Sequence, residues 1–168
     1  MFDWLQGMAI ATAIRESALV YPILLSLHLT GMALFGGMIL MTDLRLLGIA
    51  MTKRSVSDVV GGLRPWKHLG LTMVVICGAL LAWSKIALYW PNPYFKLKLI
   101  LLTLVTIHAL VFRNSVYRNP ELDRTGIPGS AKLAAVLSLV LWIGLVSAGR
   151  WIGYWEPEKE KTTAAQIR

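Results

Sequence analysis

ALVYPILLSLHLTGMALFGGMILMT, residues 18–42, contains no Asp, Glu, Lys or Arg over 25 consecutive positions. A helix rises about 1.5 Å per residue, so about 20 apolar residues cover the hydrocarbon of a bilayer. This stretch is long enough to span, and Asp43 and Arg45 close it. Pro22 falls near its start, where a missing N–H removes little.

Three further stretches read the same way. The second span covers about residues 66–89, with its apolar centre at Leu69–Trp83 and Lys85 near its end. Pro91-Asn92-Pro93 then forms a turn that neither proline can carry on as helix. The third span covers 94–113 and the fourth 131–150. Ser130 is the expected N-cap of the fourth, and Gly126-Ile127-Pro128-Gly129 the turn before it. In lipid an open strand leaves backbone groups unpaired, so all four spans are helices. The expectation is an all-α integral membrane four-helix bundle over residues 1–155, followed by a disordered tail at 156–168. Phe2, Leu5, Ala9 and Ala13 recur near helical spacing without a basic n-region. They predict a short N-terminal helix in the membrane interface rather than a cleavable signal.

Composition agrees. Charged residues are 15% of the chain and mean hydropathy is +0.60. Soluble domains carry roughly 25% charged residues. The net charge of +8 sits at span edges. There it meets lipid phosphates, and no soluble segment is long enough for a nucleic-acid surface. The loops after the first and third spans hold nine basic residues, among them Arg45, Lys53, Arg54, Arg64 and Lys67. The opposite side holds eight, three of them in a tail that also holds three glutamates. The positive-inside rule then puts both termini outside the cytoplasm, in a bacterial inner membrane.

Several chemistries are excluded. The single cysteine, Cys77, forms neither an internal disulfide nor a C-x-x-C site. There is no serine–base pair, phosphate loop or H-E-x-x-H motif. No carboxylate falls inside a span as delimited here, Asp43 lying at an end, which speaks against proton-coupled transport.

What remains is histidine. His28, His68 and His108 all lie in or against the spans. Counting from the apolar centres by helix rise, His28 and His108 each fall roughly 4–5 Å from the midplane, on opposite sides of it. Facing imidazoles in a bundle core suit axial ligation of haem b. Gly31, with Gly36 and Gly37, would admit a flat macrocycle, although small residues also pack membrane helices together. Arg150, Lys85, Lys96 and Lys98 are placed to meet propionates. His68, beside Trp66 and Lys67, reads as an interfacial anchor rather than a ligand.

The run Ser26-Leu27-His28-Leu29-Thr30-Gly31-Met32-Ala33, on through Gly37 to Arg45, resembles the first span of HemJ-type membrane proteins, the haem-containing protoporphyrinogen oxidases. Tyr94-Phe95-Lys96-Leu97-Lys98-Leu99 followed by His108 resembles the same family's third span, and Leu63-Arg64-Pro65-Trp66 fits its second loosely. The CopD copper-resistance membrane domain is similar in general plan. The resemblance covers about residues 20–115 and implies a haem-binding bundle, with His28 as ligand and Lys98 and His108 as functional residues. The spacing from His28 to the following glycine and arginine departs from the family's by one residue, and the fourth span matches no motif.

Four functions follow. One is a b-type cytochrome passing electrons between a quinone or soluble donor and a redox partner. The others are a HemJ-like porphyrinogen oxidase, a CopD-like copper permeation protein drawing on Met32, Met38, Met41 and Met73, and a cofactor-free accessory subunit of a homo- or hetero-oligomer. The span assignment itself is testable: reporter fusions after residues 55, 92, 122 and 160 should alternate sides of the membrane. Opposite reports from 55 and 122 would remove the four-span reading.

Overall fold

The computed structural model describes residues 2–112, 115, 116, 119 and 122–155. The tail at 156–168 and the end of the third span at Arg113 lie outside the described residues. The described elements are all helices, with no strand among them. Two short helices, α1 (Asp3–Gln6) and α2 (Ala9–Glu16), precede the first long one, α3 (Val20–Leu46). Then come α4 (Val56–Ser84), the short α5 (Ile86–Tyr89), α6 (Pro93–Phe112), the short α7 (Leu122–Thr125) and α8 (Gly129–Ile152). α3, α4, α6 and α8 are each long and apolar enough to cross a membrane.

Their outward sides carry Leu25, Leu29, Val75, Ile76, Leu104, Ile107, Leu110, Val140 and Ile143, all exposed. A water-soluble bundle hides such residues and presents charge. These helices do the reverse, so their solvent is hydrocarbon, and the chain is a multi-pass membrane protein. The end of the bundle covered by α1 and α2 is called here the cap face, and the end carrying the α3–α4 loop the loop face.

Several boundaries differ from those expected. α3 continues a turn beyond Thr42 and takes Asp43 into the bundle, where it is 1% exposed. α4 begins before Trp66, at Val56, because its start is capped twice. Ser55 Oγ accepts from the Asp58 N–H at 3.0 Å, and the Asp123 carboxylate accepts from the amides of Val56 and Ser57. Pro65 therefore lies inside α4. The second span is not continuous to Tyr89: at Lys85 the backbone leaves helical geometry (φ −131°, ψ 29°). The break frees the Ser84 carbonyl, which accepts from Arg15 Nη1 at 3.3 Å. α8 starts at Gly129 behind Pro128, so Ser130 is not its N-cap. Asn92, between the two prolines, caps α6 through Oδ1 and donates from Nδ2 to the Ile152 carbonyl at 3.1 Å.

The expected N-terminal helix is two helices, and they are tied to the bundle. Trp83 Nε1 donates to Leu5 O at 2.9 Å, Ala87 N–H donates to Gln6 Oε1 at 2.9 Å, and Ala11 and Ile14 are buried.

The long helices pack in the order α4–α3–α8–α6, while α4 and α6 scarcely touch. Glycine sets the α3–α4 contact. A Cβ on Gly31 would lie 2.8 Å from Met73 Cβ, and one on Gly70 would lie 2.7 Å from the Phe35 backbone nitrogen. At the α3–α8 contact the indole of Trp142 occupies the space a Gly36 side chain would fill, and packs edge-on against Phe35. α6 and α8 meet through Tyr94 and Trp151, stacked with centroids 5.8 Å apart. Near the loop face, Ala131, Ala134 and Ala135 of α8 form a small core with Leu46, Val56, Val116 and Leu122.

A methyl on Gly70 meets backbone rather than a flexible side chain. Gly70→Ala should therefore destabilise the protein by about 1–3 kcal/mol. Gly61, on the same helix, has open space beyond it. Gly61→Ala should be neutral or stabilising by up to about 1 kcal/mol. Thermal unfolding in detergent checks both, and equal losses would refute the contact.

Candidate cofactor site

His28 is buried on α3 and faces α4. Its Nδ1 lies 3.1 Å from the Val74 carbonyl oxygen. A carbonyl only accepts, so Nδ1 carries a proton, and in the neutral imidazole Nε2 then keeps its lone pair. Metal-bound histidines are oriented the same way, with the other ring N–H given to a backbone carbonyl. Gly78 makes the room, since a Cβ there would lie 2.8 Å from His28 Cε1. The sequence does not mark Gly78 as a site residue, because nothing local shows which helix an imidazole will face.

Lys98 on α6 lies against Gly149 of α8, its Nζ 3.4 Å from where a Cβ would be. The helix contacts give its level relative to His28. Gly36 meets Trp142, Gly149 is seven residues beyond Trp142, and His28 is eight residues before Gly36. In antiparallel helices with the usual rise, that puts His28 and Lys98 within about 2 Å of the same depth. They are near enough for the ammonium to act electrostatically on the imidazole.

The same register separates His28 from His108. His108 Nε2 donates to the Ala134 carbonyl at 3.0 Å, and its ring lies 4.9 Å from that of Phe112. Ala134 is eight residues to the loop-face side of Trp142, as His28 is eight to the cap-face side of Gly36. The two imidazoles therefore stand roughly 24 Å apart along the bundle. Counting from apolar centres brings each to within roughly 4–5 Å of the midplane, and the helix register corrects that. Metal–imidazole bonds are about 2 Å long, so these two rings do not share one iron.

Other expected residues take different places. The space beside Gly31 is filled by Met73 and Gly70, so this glycine packs helices and opens no slot. Arg150 is exposed at the cap face and holds Tyr154, donating to its hydroxyl and stacking over its ring. His68 is exposed on α4. Among the described residues no three His, Cys, Asp or Glu side chains converge on a metal-ion position.

A polar group that the sequence does not announce lies nearer the loop face. Lys67 Nζ donates to Thr42 Oγ1 at 2.6 Å, Thr42 donates on to Met38 O at 2.9 Å, and the buried Asp43 carboxylate interacts with Lys67 electrostatically. Reading Thr42 and Asp43 as the end of a span hides their burial.

Fold and site together define an all-α, multi-pass membrane protein in which His28 and His108 are buried and each is hydrogen-bonded to the backbone of a neighbouring helix. The chain belongs to the Family of unknown function (DUF6644), which it matches over residues 1–155. No curated protein and no solved structure matches it.

The tautomer is directly measurable. Ring nitrogen NMR of histidine-labelled protein at neutral pH should show His28 protonated on Nδ1 and bare on Nε2. Gly78→Ala, which crowds Cε1, should perturb that signal and leave the His108 signal in place. A proton on Nε2 of His28 would refute the assignment.

Proposed function

We propose that this protein is a membrane b-type haem protein acting in electron transfer, with His28 as the iron ligand. The observation that carries the proposal is the His28 ring itself, with Nδ1–H fixed on Val74 O, Nε2 bare and Lys98 at the same depth. The donor set fits the group. A neutral imidazole is a usual haem ligand. α4 and α6 scarcely touch, so no helix contact between these two closes off that side of the bundle. Haem supplies a one-electron couple, and the chain's residues set its surroundings.

Val74 orients the imidazole and strengthens its basicity. Gly78 leaves the ring its position. Lys98 supplies a cation for a propionate, and the apolar walls exclude water and lower the dielectric. His108, bonded to Ala134 at the other end, is a helix-to-helix tie in this reading. The resemblance of the His28 and Lys98 segments to HemJ-type proteins supports the same pair. We place the protein in a bacterial inner membrane with the cap face outside the cytoplasm. A quinone or a soluble redox protein would then exchange electrons at that face.

Protein expressed with haem available should retain haem b and show its reduced-minus-oxidised difference spectrum. His28→Ala should lower haem occupancy at least tenfold, whereas His108→Ala and His68→Ala should keep the spectrum. A colourless wild-type preparation, or a His28→Ala protein with full haem, would leave the cofactor-free subunit as the better reading.

A further inference from the structure

At the loop face, the α3–α4 loop and the α7–α8 turn enclose an open groove of about 420 Å³, lined among others by Arg45, Ser55, Asp123 and Lys132. We propose that this groove binds a phosphate group, and that the phosphate is the headgroup of an anionic phospholipid.

Charge and geometry carry the proposal. Among the described lining residues the one acid, Asp123, is already engaged. Hydrogen bonds from the Ser57 side chain and from the Val56 and Ser57 amides, aided by the nearby Arg45 guanidinium, hold its carboxyl below the usual carboxylate range. It stays ionised and serves the start of α4. Arg45 donates from Nε to Arg54 O at 2.8 Å and lines the groove with its guanidinium. Lys132 lies in the first turn of α8. The dipole of that helix start adds positive potential on the same side. Ser55 Oγ accepts from Asp58 N–H and keeps its hydroxyl proton to donate.

The rim is open. Gly48 (φ +76°) and Gly126 (φ +83°) are turn glycines in left-handed geometry, and a Cβ on either would meet nothing within 4 Å. The depth suits a headgroup. α8, from Gly129 to Ile152, is about 36 Å long by helix rise. The hydrocarbon core of a bilayer is about 30 Å thick, so the ends of α8 reach the headgroup layer. The groove is also far larger than a bare anion, and its size is that of an ordinary small-ligand site.

The test uses the full chain purified in a neutral detergent and follows its unfolding temperature. Phosphatidylglycerol is added in mixed micelles, phosphatidylcholine serves as the uncharged control, and inorganic phosphate is the soluble arm. Phosphatidylglycerol should raise the unfolding temperature saturably and phosphatidylcholine should not. The double variant Arg45→Gln, Lys132→Gln should weaken that response at least tenfold in half-saturating lipid. Lys53→Gln, on the same face but outside the lining, should leave it unchanged. An equal response to inorganic phosphate, lost in the same variant, keeps the phosphate site and assigns it to a soluble ligand. A phosphatidylglycerol response that survives in the double variant, or falls as much in Lys53→Gln, overturns the proposal. So does the absence of any response to either phosphate source.

Discussion

The rest of the structure depends on the backbone contact between α3 and α4 at Gly31 and Gly70. In hydrocarbon, apolar side chains gain nothing by leaving the lipid, so helices associate through close packing and hydrogen bonds. Two glycines remove the side chains that would hold the backbones apart, and Phe35 and Met73 settle over the contact. Once that register is set, His28 falls against Val74 and Gly78 on one side of the contact, and Thr42 against Lys67 on the other. Sliding the helices by one turn would break both hydrogen bonds together, in a medium where an unpaired buried polar group costs about 1–3 kcal/mol.

α8 carries this register to the second half of the molecule. Trp142 fits the gap left by Gly36, and the α8 face that continues from it meets α6 at Leu101, Lys98 and Tyr94. The level match of His28 and Lys98 therefore results from two helix contacts in series, although α3 and α6 are not direct neighbours in the packing order. The site's geometry is a property of the bundle rather than of a local motif.

This explains what the sequence made legible. The four long apolar helices and the turn at Pro91-Asn92-Pro93 could be read because uncharged runs and paired prolines are local signals. The ends of the spans could not, because caps from distant residues decide them: Asp123 at the start of α4, and Arg15 at its end. His28 and His108 were visible as residues, but their separation was not. Depth counted from the middle of each apolar run assumes that every helix is centred in the membrane. α3 runs past its apolar stretch to Leu46, and α6 is the shorter helix. The assumption therefore fails by more than about ten ångströms. Asp43 was hidden for the same reason. A charge that looks like the end of a span can be buried when a lysine on the next helix is at its level.

The ties of the N-terminal helices also bear on the order in which the protein assembles. Arg15 to Ser84, Trp83 to Leu5, Tyr21 to Tyr89 at 3.2 Å, His28 to Val74 and Lys67 to Thr42 all close before the turn at Pro91. Asn92 to Ile152 and His108 to Ala134 close within the remainder. The chain is thus divided, in the connectivity of these bonds, into two helical hairpins. The ties of the first close among residues that all precede α6, and the two halves are joined by the Trp142 indole against Gly36, by Asp123 at the start of α4, and by the α8 alanines against Leu46 and Val56.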